Sequence, residues 1–366
     1  MKRPIVKYYS HSRVMGLEPL FDNLTIKLCH HLENRFMSKT GPTECDLGEW
    51  IGFYSWDANG AASFSKPFGY MDEGCDYDDT ISTADKGLDY FAAVGQMPFL
   101  DYLLDKNPIR RIGPPNLGNI TRISLEHLRA RLDGKDTNYD PNVPDFLQYF
   151  IESKKAHPDL VNDGTIVGYV LVNLLAGADT IAITIRAIFW YALHNTEVYE
   201  KLEEEILTTD MEDIVSFKSA RPLPYLEACV REAMRMHPGV CMLLERYVPD
   251  TGLTLPNGSF IPPGTSVGIN PYVIGRNKHI WGEDADSYRP ERWLQSDGET
   301  EVAYKDRMHL FNASDLTFGG GSRVCIGRNL AQLEVYKIVA TLVAGSYVRK
   351  VCNAILRKEG RGVVSR

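Results

Sequence analysis

One cysteine in a glycine-rich loop offers the most distinctive chemistry in this chain. It is Cys325, in the run Phe318-Gly319-Gly320-Gly321-Ser322-Arg323-Val324-Cys325-Ile326-Gly327-Arg328. The run reads as a nest for an iron-bound thiolate, which needs shielding, hydrogen-bond donors and room for a large flat cofactor. Glycine backbone can turn tightly and approach a macrocycle closely. Arg323, two residues before the sulfur, offers a fixed cationic fork suited to a carboxylate. The apolar spacing of Ile326, Leu330, Leu333 and Ile338 predicts a helix at or just after Cys325, and the positive end of that helix favours a thiolate. The plainer alternative is a buried structural cysteine beside a glycine-rich loop.

A second cluster, Ala176-Gly177-Ala178-Asp179-Thr180, lies inside a long apolar stretch. Glycine costs about 1 kcal/mol against alanine in a helix interior. A buried carboxylate must be paired or protonated. A threonine hydroxyl can bond back to a helix carbonyl and open the helix locally. The five residues describe either a groove with two proton-handling groups or a polar kink packed against another helix. Glu232-Ala233-Met234-Arg235 places opposite charges three residues apart on one helical face, with Leu226, Val230 and Ala233 predicting partial burial. His237, just before Pro238, reads as a capping or packing residue, and His30-His31 as a solvated helix face.

Taken in this order, the motifs resemble those of the cytochrome P-450 superfamily, the haem-thiolate monooxygenases. Phe318, Gly321, Arg323, Cys325 and Gly327 fill every fixed position of that family's cysteine loop. Ala176 to Thr180 resembles its oxygen-binding helix motif, with Ile181 where many members carry a second threonine, and Glu232 to Arg235 resembles its Glu-x-x-Arg. The resemblance implies heme b, its iron axially ligated by Cys325. It implies a cradle of Phe318, Gly319, Gly327, Arg323 and Arg246, with the two arginines facing the haem propionates. It also implies proton delivery by Thr180 and Asp179, and a structural triad of Glu232, Arg235 and Arg292.

By the same resemblance, Gly239 to Leu244 line the pocket of a small apolar organic substrate. One oxygen atom of O2 enters that substrate, as hydroxylation or oxidative demethylation. Electrons come from NADPH through a separate NADPH-cytochrome reductase. The segment Lys66 to Gly74 resembles fungal enzymes of the pisatin demethylase type, which implies secondary metabolism or detoxification. Two alternatives stand beside this reading. One is a non-catalytic remnant that binds haem poorly. The other is a haem-thiolate peroxide isomerase or dehydratase, against which the intact Asp179-Thr180 pair argues.

The expected fold is mainly α with small β-sheets, a cytochrome P-450 fold that is incomplete. Residues 1–344 are expected to form the catalytic core and residues 345–366 an atypical basic tail. The resemblance begins near Ile5, beyond the family's anchor, first strands and early haem-contacting helix, so a truncated chain is expected. The family sits on the endoplasmic reticulum membrane, yet no leader is read here and no apolar run long enough to span a bilayer; Ile166 to Ala176 reads as a buried helix. A net charge of −8 disfavours non-specific nucleic-acid binding. Seven scattered cysteines without a CxxC pair disfavour a disulfide framework or a zinc site. No Rossmann or P-loop glycine fingerprint is present.

The elements that must position these residues are helices over 17–37, 46–64, 84–104, 120–132, 143–153, 162–193, 197–207 and 225–236. Residues 69–79 read as a loop. A hairpin is expected over 253–261 around Asn257-Gly258, and an extended segment over 265–269 after the turn Pro262-Pro263-Gly264.

Overall fold

A computed structural model describes residues 2–37, 45–114 and 117–349. The basic stretch from Lys350 onward, including Cys352, Arg357, Lys358, Arg361 and Arg366, lies outside the described residues. The fold is mainly helical. In chain order the helices before the strands are α1 (His11–Met15), α2 (Glu18–Phe36), α3 (Leu47–Phe64), α4 (Tyr70–Glu73), α5 (Thr80–Gln96), α6 (Phe99–Leu104), α7 (Gly118–Leu132), α8 (Phe146–Ala156), α9 (Asp163–Leu193), α10 (Thr196–Thr208), α11 (Phe217–Ala220) and α12 (Pro224–Met236). Strands β1 (Arg246–Tyr247), β2 (Leu253–Thr254), β3 (Phe260–Ile261) and β4 (Ser266–Val267) follow. The chain then continues through α13 (Pro271–Ile274), α14 (Lys278–Trp281), α15 (Glu301–Ser314) and α16 (Arg328–Ala344). It divides into two compact units: 1–185, 209–220 and 326 onward form the first, and 186–208 with 221–325 form the second.

In the first unit α2 packs against α3, and α16 packs against α1, α2 and α11. Helix α3 starts where the Asp46 side chain accepts the Glu49 N–H at 3.0 Å, a capping arrangement that supplies one of the orphan donors of a helix start. Lys337 of α16 is fully buried and is held by Glu18 at 3.0 Å, Asp22 at 2.5 Å and the Val215 carbonyl at 2.9 Å. Asp145, also buried, takes a two-pronged bond from Arg131 at 3.0 and 2.7 Å.

Three expectations for this unit need correction. Residues 69–79 are not all loop, because α4 forms one turn there. The buried Asp57 carboxylate accepts the N–H groups of Gly69, Tyr70 and Met71, which a helix start would otherwise leave unpaired. The helix read over 84–104 starts earlier, at Thr80, and breaks at Met97-Pro98 into α5 and α6, since proline has no N–H to continue the ladder. Helix α9, which lies in this unit through Ile185, is long and apolar enough to cross a membrane by length and composition, though its most apolar stretch is less than half buried. Its apolar run looks shorter than it is because Asn173, Asp179, Thr180 and Thr184 interrupt it.

In the second unit α12 packs on α10 and on the single 3-10 turn Pro290–Trp293. Trp281, Trp293 and Phe311 build an aromatic core with Ala228 and Ala285. Strand β1 pairs antiparallel with β4, Arg246 opposite Val267. Strand β2 pairs with β3, Leu253 opposite Ile261, and the hairpin closes through Gly258 at φ +85°. That positive φ is why glycine follows Asn257. Helix α15 has no counterpart in the reading above. It buries only Phe311 and is otherwise polar, so apolar spacing could not reveal it.

Candidate active site

Around Cys325 the backbone turns through Gly319 at φ +69° and Gly321 at φ +61°, a left-handed conformation that side-chain-bearing residues rarely adopt. The Cys325 N–H donates to the Phe318 carbonyl at 2.8 Å and so closes the loop. The thiol-bearing residue is exposed rather than buried. Arg323 ends a 3-10 turn over Gly321–Arg323, and Gly327 caps α16, so the predicted helix begins three residues after the cysteine.

The stretch leading into β1 borders this loop. A Cβ placed on Gly319 would lie 3.9 Å from Leu244 Cδ1 and 3.8 Å from the Arg323 carbonyl. The Leu244 N–H is anchored on the Ile269 carbonyl at 3.0 Å. Arg246 is exposed and donates to the Glu245 carbonyl at 2.6 Å. Val240, Leu243 and Val324 are exposed as well, at 48%, 47% and 38%. The second unit therefore presents an accessible thiol, left-handed glycine backbone, two solvent-facing guanidinium groups and uncovered apolar side chains. That donor set fits a flat apolar ring carrying acidic arms.

Glu232, Arg235 and Arg292 come together as the triad predicts, and more tightly than partial burial would require. Their side chains are at most 2% exposed. Glu232 receives Arg235 Nε and Nη2 at 2.8 Å each, Arg292 Nε at 3.2 Å, the Arg289 N–H at 3.0 Å and Trp293 Nε1 at 2.9 Å. The arginines in turn tie down backbone. Arg235 donates to the carbonyls of Gly275, Ala285 and Ser287, and Arg292 to those of Trp281 and Asp284. Asp284 completes the cluster. Burial pushes its carboxyl up, but Arg292 and Arg289 outweigh this and bring it down to about 2. Sequence reasoning missed Asp284 and the indole of Trp293. The second could have been suspected from its place beside Arg292.

Thr180 and Asp179 belong to the first unit, on α9. Both are partly exposed and Ala176 is exposed, so this stretch is less enclosed than its apolar flanks imply. Thr180 Oγ1 donates to the Ala176 carbonyl at 2.7 Å, the back-bond expected of a threonine there. Thr184 repeats it on the Thr180 carbonyl at 2.8 Å. His237 is the C-cap residue of α12. His31 departs from the solvated reading: its ring lies 5.4 Å from that of Trp50, and Nε2 lies 3.7 Å from Asp72.

A mainly helical scaffold with two short antiparallel strand pairs, a glycine-wrapped thiol and a buried Glu-Arg-Arg cluster together point to the haem-thiolate class. The family model for cytochrome P450 matches residues 3–345, and the chain belongs to that family. A cytochrome P450 monooxygenase of Aspergillus candidus is 45% identical over 348 residues, which is 94% of this chain and 64% of the relative. A cytochrome P450 monooxygenase of Aspergillus terreus is 34% identical over 98% of this chain and 73% of its own. One of Emericella nidulans is 34% identical over 94% and 67%. The chain thus spans about two thirds of the length of these fungal relatives.

Proposed function

We propose that this chain supplies the catalytic core of a haem-thiolate monooxygenase acting on a small apolar organic substrate in fungal secondary metabolism. The observation that carries the reading is the accessible Cys325 in a loop bent by Gly319 and Gly321, within a chain that belongs to the cytochrome P450 family. Heme b bound through a cysteine thiolate supplies dioxygen activation, the thiolate pushing electron density that favours O–O cleavage.

In this reading Cys325 Sγ would hold the haem iron, and the Cys325 N–H bond to the Phe318 carbonyl keeps the loop in register. Arg246 and Arg323 pair with the ring's carboxylates, for which a planar guanidinium is suited. Val240 and Leu243 give the substrate an apolar wall that excludes water. Thr180 Oγ1, which donates to the Ala176 carbonyl, would hold a proton for delivery to dioxygen, and Asp179 would relay a solvent proton to Thr180 for each one given up. Glu232, Arg235 and Arg292 stay out of the chemistry and brace the backbone before the cysteine loop. Electrons arrive from NADPH by way of a reductase.

The test is to express the chain, load it with haem, reduce it under carbon monoxide and record the spectrum. A thiolate-type band that vanishes in Cys325→Ala supports the reading. A thiolate-type band that persists in Cys325→Ala, or that the parent lacks, refutes it.

A further inference from the structure

The residue in question is Asn59, buried at 3% exposure on α3. Both hydrogens of its side-chain amide are donated into α9, to the carbonyls of Asn173 and Leu174, each at 3.0 Å. In a regular helix those carbonyls serve the N–H groups four residues on, at Gly177 and Ala178. Gly177 is what lets the amide in, because a Cβ there would stand 2.6 Å from Asn59 Nδ2. The glycine that looked costly from sequence has a specific use.

The amide is itself held in place. Its oxygen accepts Ser63 Oγ at 3.3 Å and Asn173 Nδ2 at 3.4 Å, and Asn173 Oδ1 takes the Tyr9 hydroxyl at 2.9 Å. With the bonds of Thr180 and Thr184, the carbonyls of Asn173, Leu174, Ala176 and Thr180 all carry a side-chain donor. Side-chain donors on helix carbonyls are a recognised cause of local distortion.

We propose that Asn59 is a positioning residue: its amide clamps α9 nearly two turns before Thr180 and sets the backbone from which the Thr180 hydroxyl and Asp179 act. The claim rests on the monooxygenase reading for its catalytic part and on the geometry above for the clamp. Asn59 itself touches neither substrate nor cofactor in this proposal.

Three measurements test it. In Asn59→Leu, hydrogen exchange at amides 177–184 should quicken about tenfold, as expected for two lost hydrogen bonds, while that of α2 stays within about twofold. Gly177→Ala should lower the melting temperature in the parent but leave it unchanged or raise it in an Asn59→Ala background, since the added methyl then has room. In the haem-loaded chain with a reductase, hydrogen peroxide released per NADPH consumed should rise about threefold or more in Asn59→Leu, a shift of the size a lost hydrogen bond can give.

Exchange that quickens evenly across the unit assigns Asn59 a general packing role and overturns the proposal. So does a Gly177→Ala effect that is the same in both backgrounds, or local loosening with an unchanged peroxide ratio. A parent without the thiolate band overturns the functional reading instead. Exchange and melting are read without haem, so the two failures are distinguishable.

Discussion

Replacing Glu334 by methionine should remove a pH dependence built into the first unit. Glu334, on α16, is 2% exposed, and its Oε2 has no hydrogen-bond partner among the described residues. Burial pushes its carboxyl up to about 8, and its charge would raise the neighbouring Tyr54 hydroxyl further. The acid is therefore neutral when folded and ionised when unfolded over a wide range. Its folded pKa lies above its unfolded value of 4.5, so the stability it permits is complete below pH 4.5 and is lost as pH climbs toward 8. Each pH unit in that window costs about 1.4 kcal/mol, which gives about 2–3 kcal/mol between pH 5 and 7.

Methionine has a similar length and no charge to desolvate, so Glu334→Met should lack this slope. The assay is urea unfolding of both proteins at half-unit steps from pH 5 to 8.5, read as the parent-minus-variant difference. The depressed acids Asp284 and Glu299, both at about 2, change their contribution only below about pH 4 and cancel in that difference. A difference that stays flat within about 0.5 kcal/mol would mean that Glu334 is solvated or paired, and the reasoning would fail.

Three further outcomes follow from the site. Glu232→Gln leaves Arg235 and Arg292 buried without their anion and should cost about 3–5 kcal/mol in thermal or urea unfolding; a cost under about 1 kcal/mol would show that the cluster is not what braces this region. Gly275→Ala places a Cβ 2.7 Å from the Arg235 carbonyl and 3.1 Å from that of Pro271. Backbone cannot retreat as a flexible side chain can, so about 1–3 kcal/mol should be lost by the same measurement. Thr180→Ala should shift electron use from product to hydrogen peroxide in the haem-loaded enzyme at little cost in melting temperature, and an unchanged peroxide-to-NADPH ratio would remove Thr180 from the proton path.

The long helices were legible because their apolar periodicity and capping residues agree, as with Asp46 at the start of α3 and Pro224 at the start of α12. The hairpin was legible from Asn257-Gly258. The one-turn α4 was not, since it depends on Asp57, a carboxylate one helix away whose reach no local pattern records. At the site, motif spacing singled out Cys325, Glu232 and Arg235, and the last two meet in the structure. The supporting cast was not: Asp284, Trp293 and Asn59 act through contacts between distant positions, and a sequence shows their types without their neighbours. The sequence also gave too closed a picture of α9 near Thr180, because an apolar composition says how much surface wants cover and not which surface obtains it.

Lys337 has a consequence for biogenesis. Its partner Glu18 lies 319 positions earlier. At about 5–20 residues per second of translation, the lysine emerges roughly 16–64 s after the acid it must neutralise. Through that interval α2 exists without α16, and Glu18 and Asp22 lack the lysine that compensates them. The unit therefore closes late, after most of the polypeptide has left the ribosome, and holding chaperones have a defined span of nascent chain to guard.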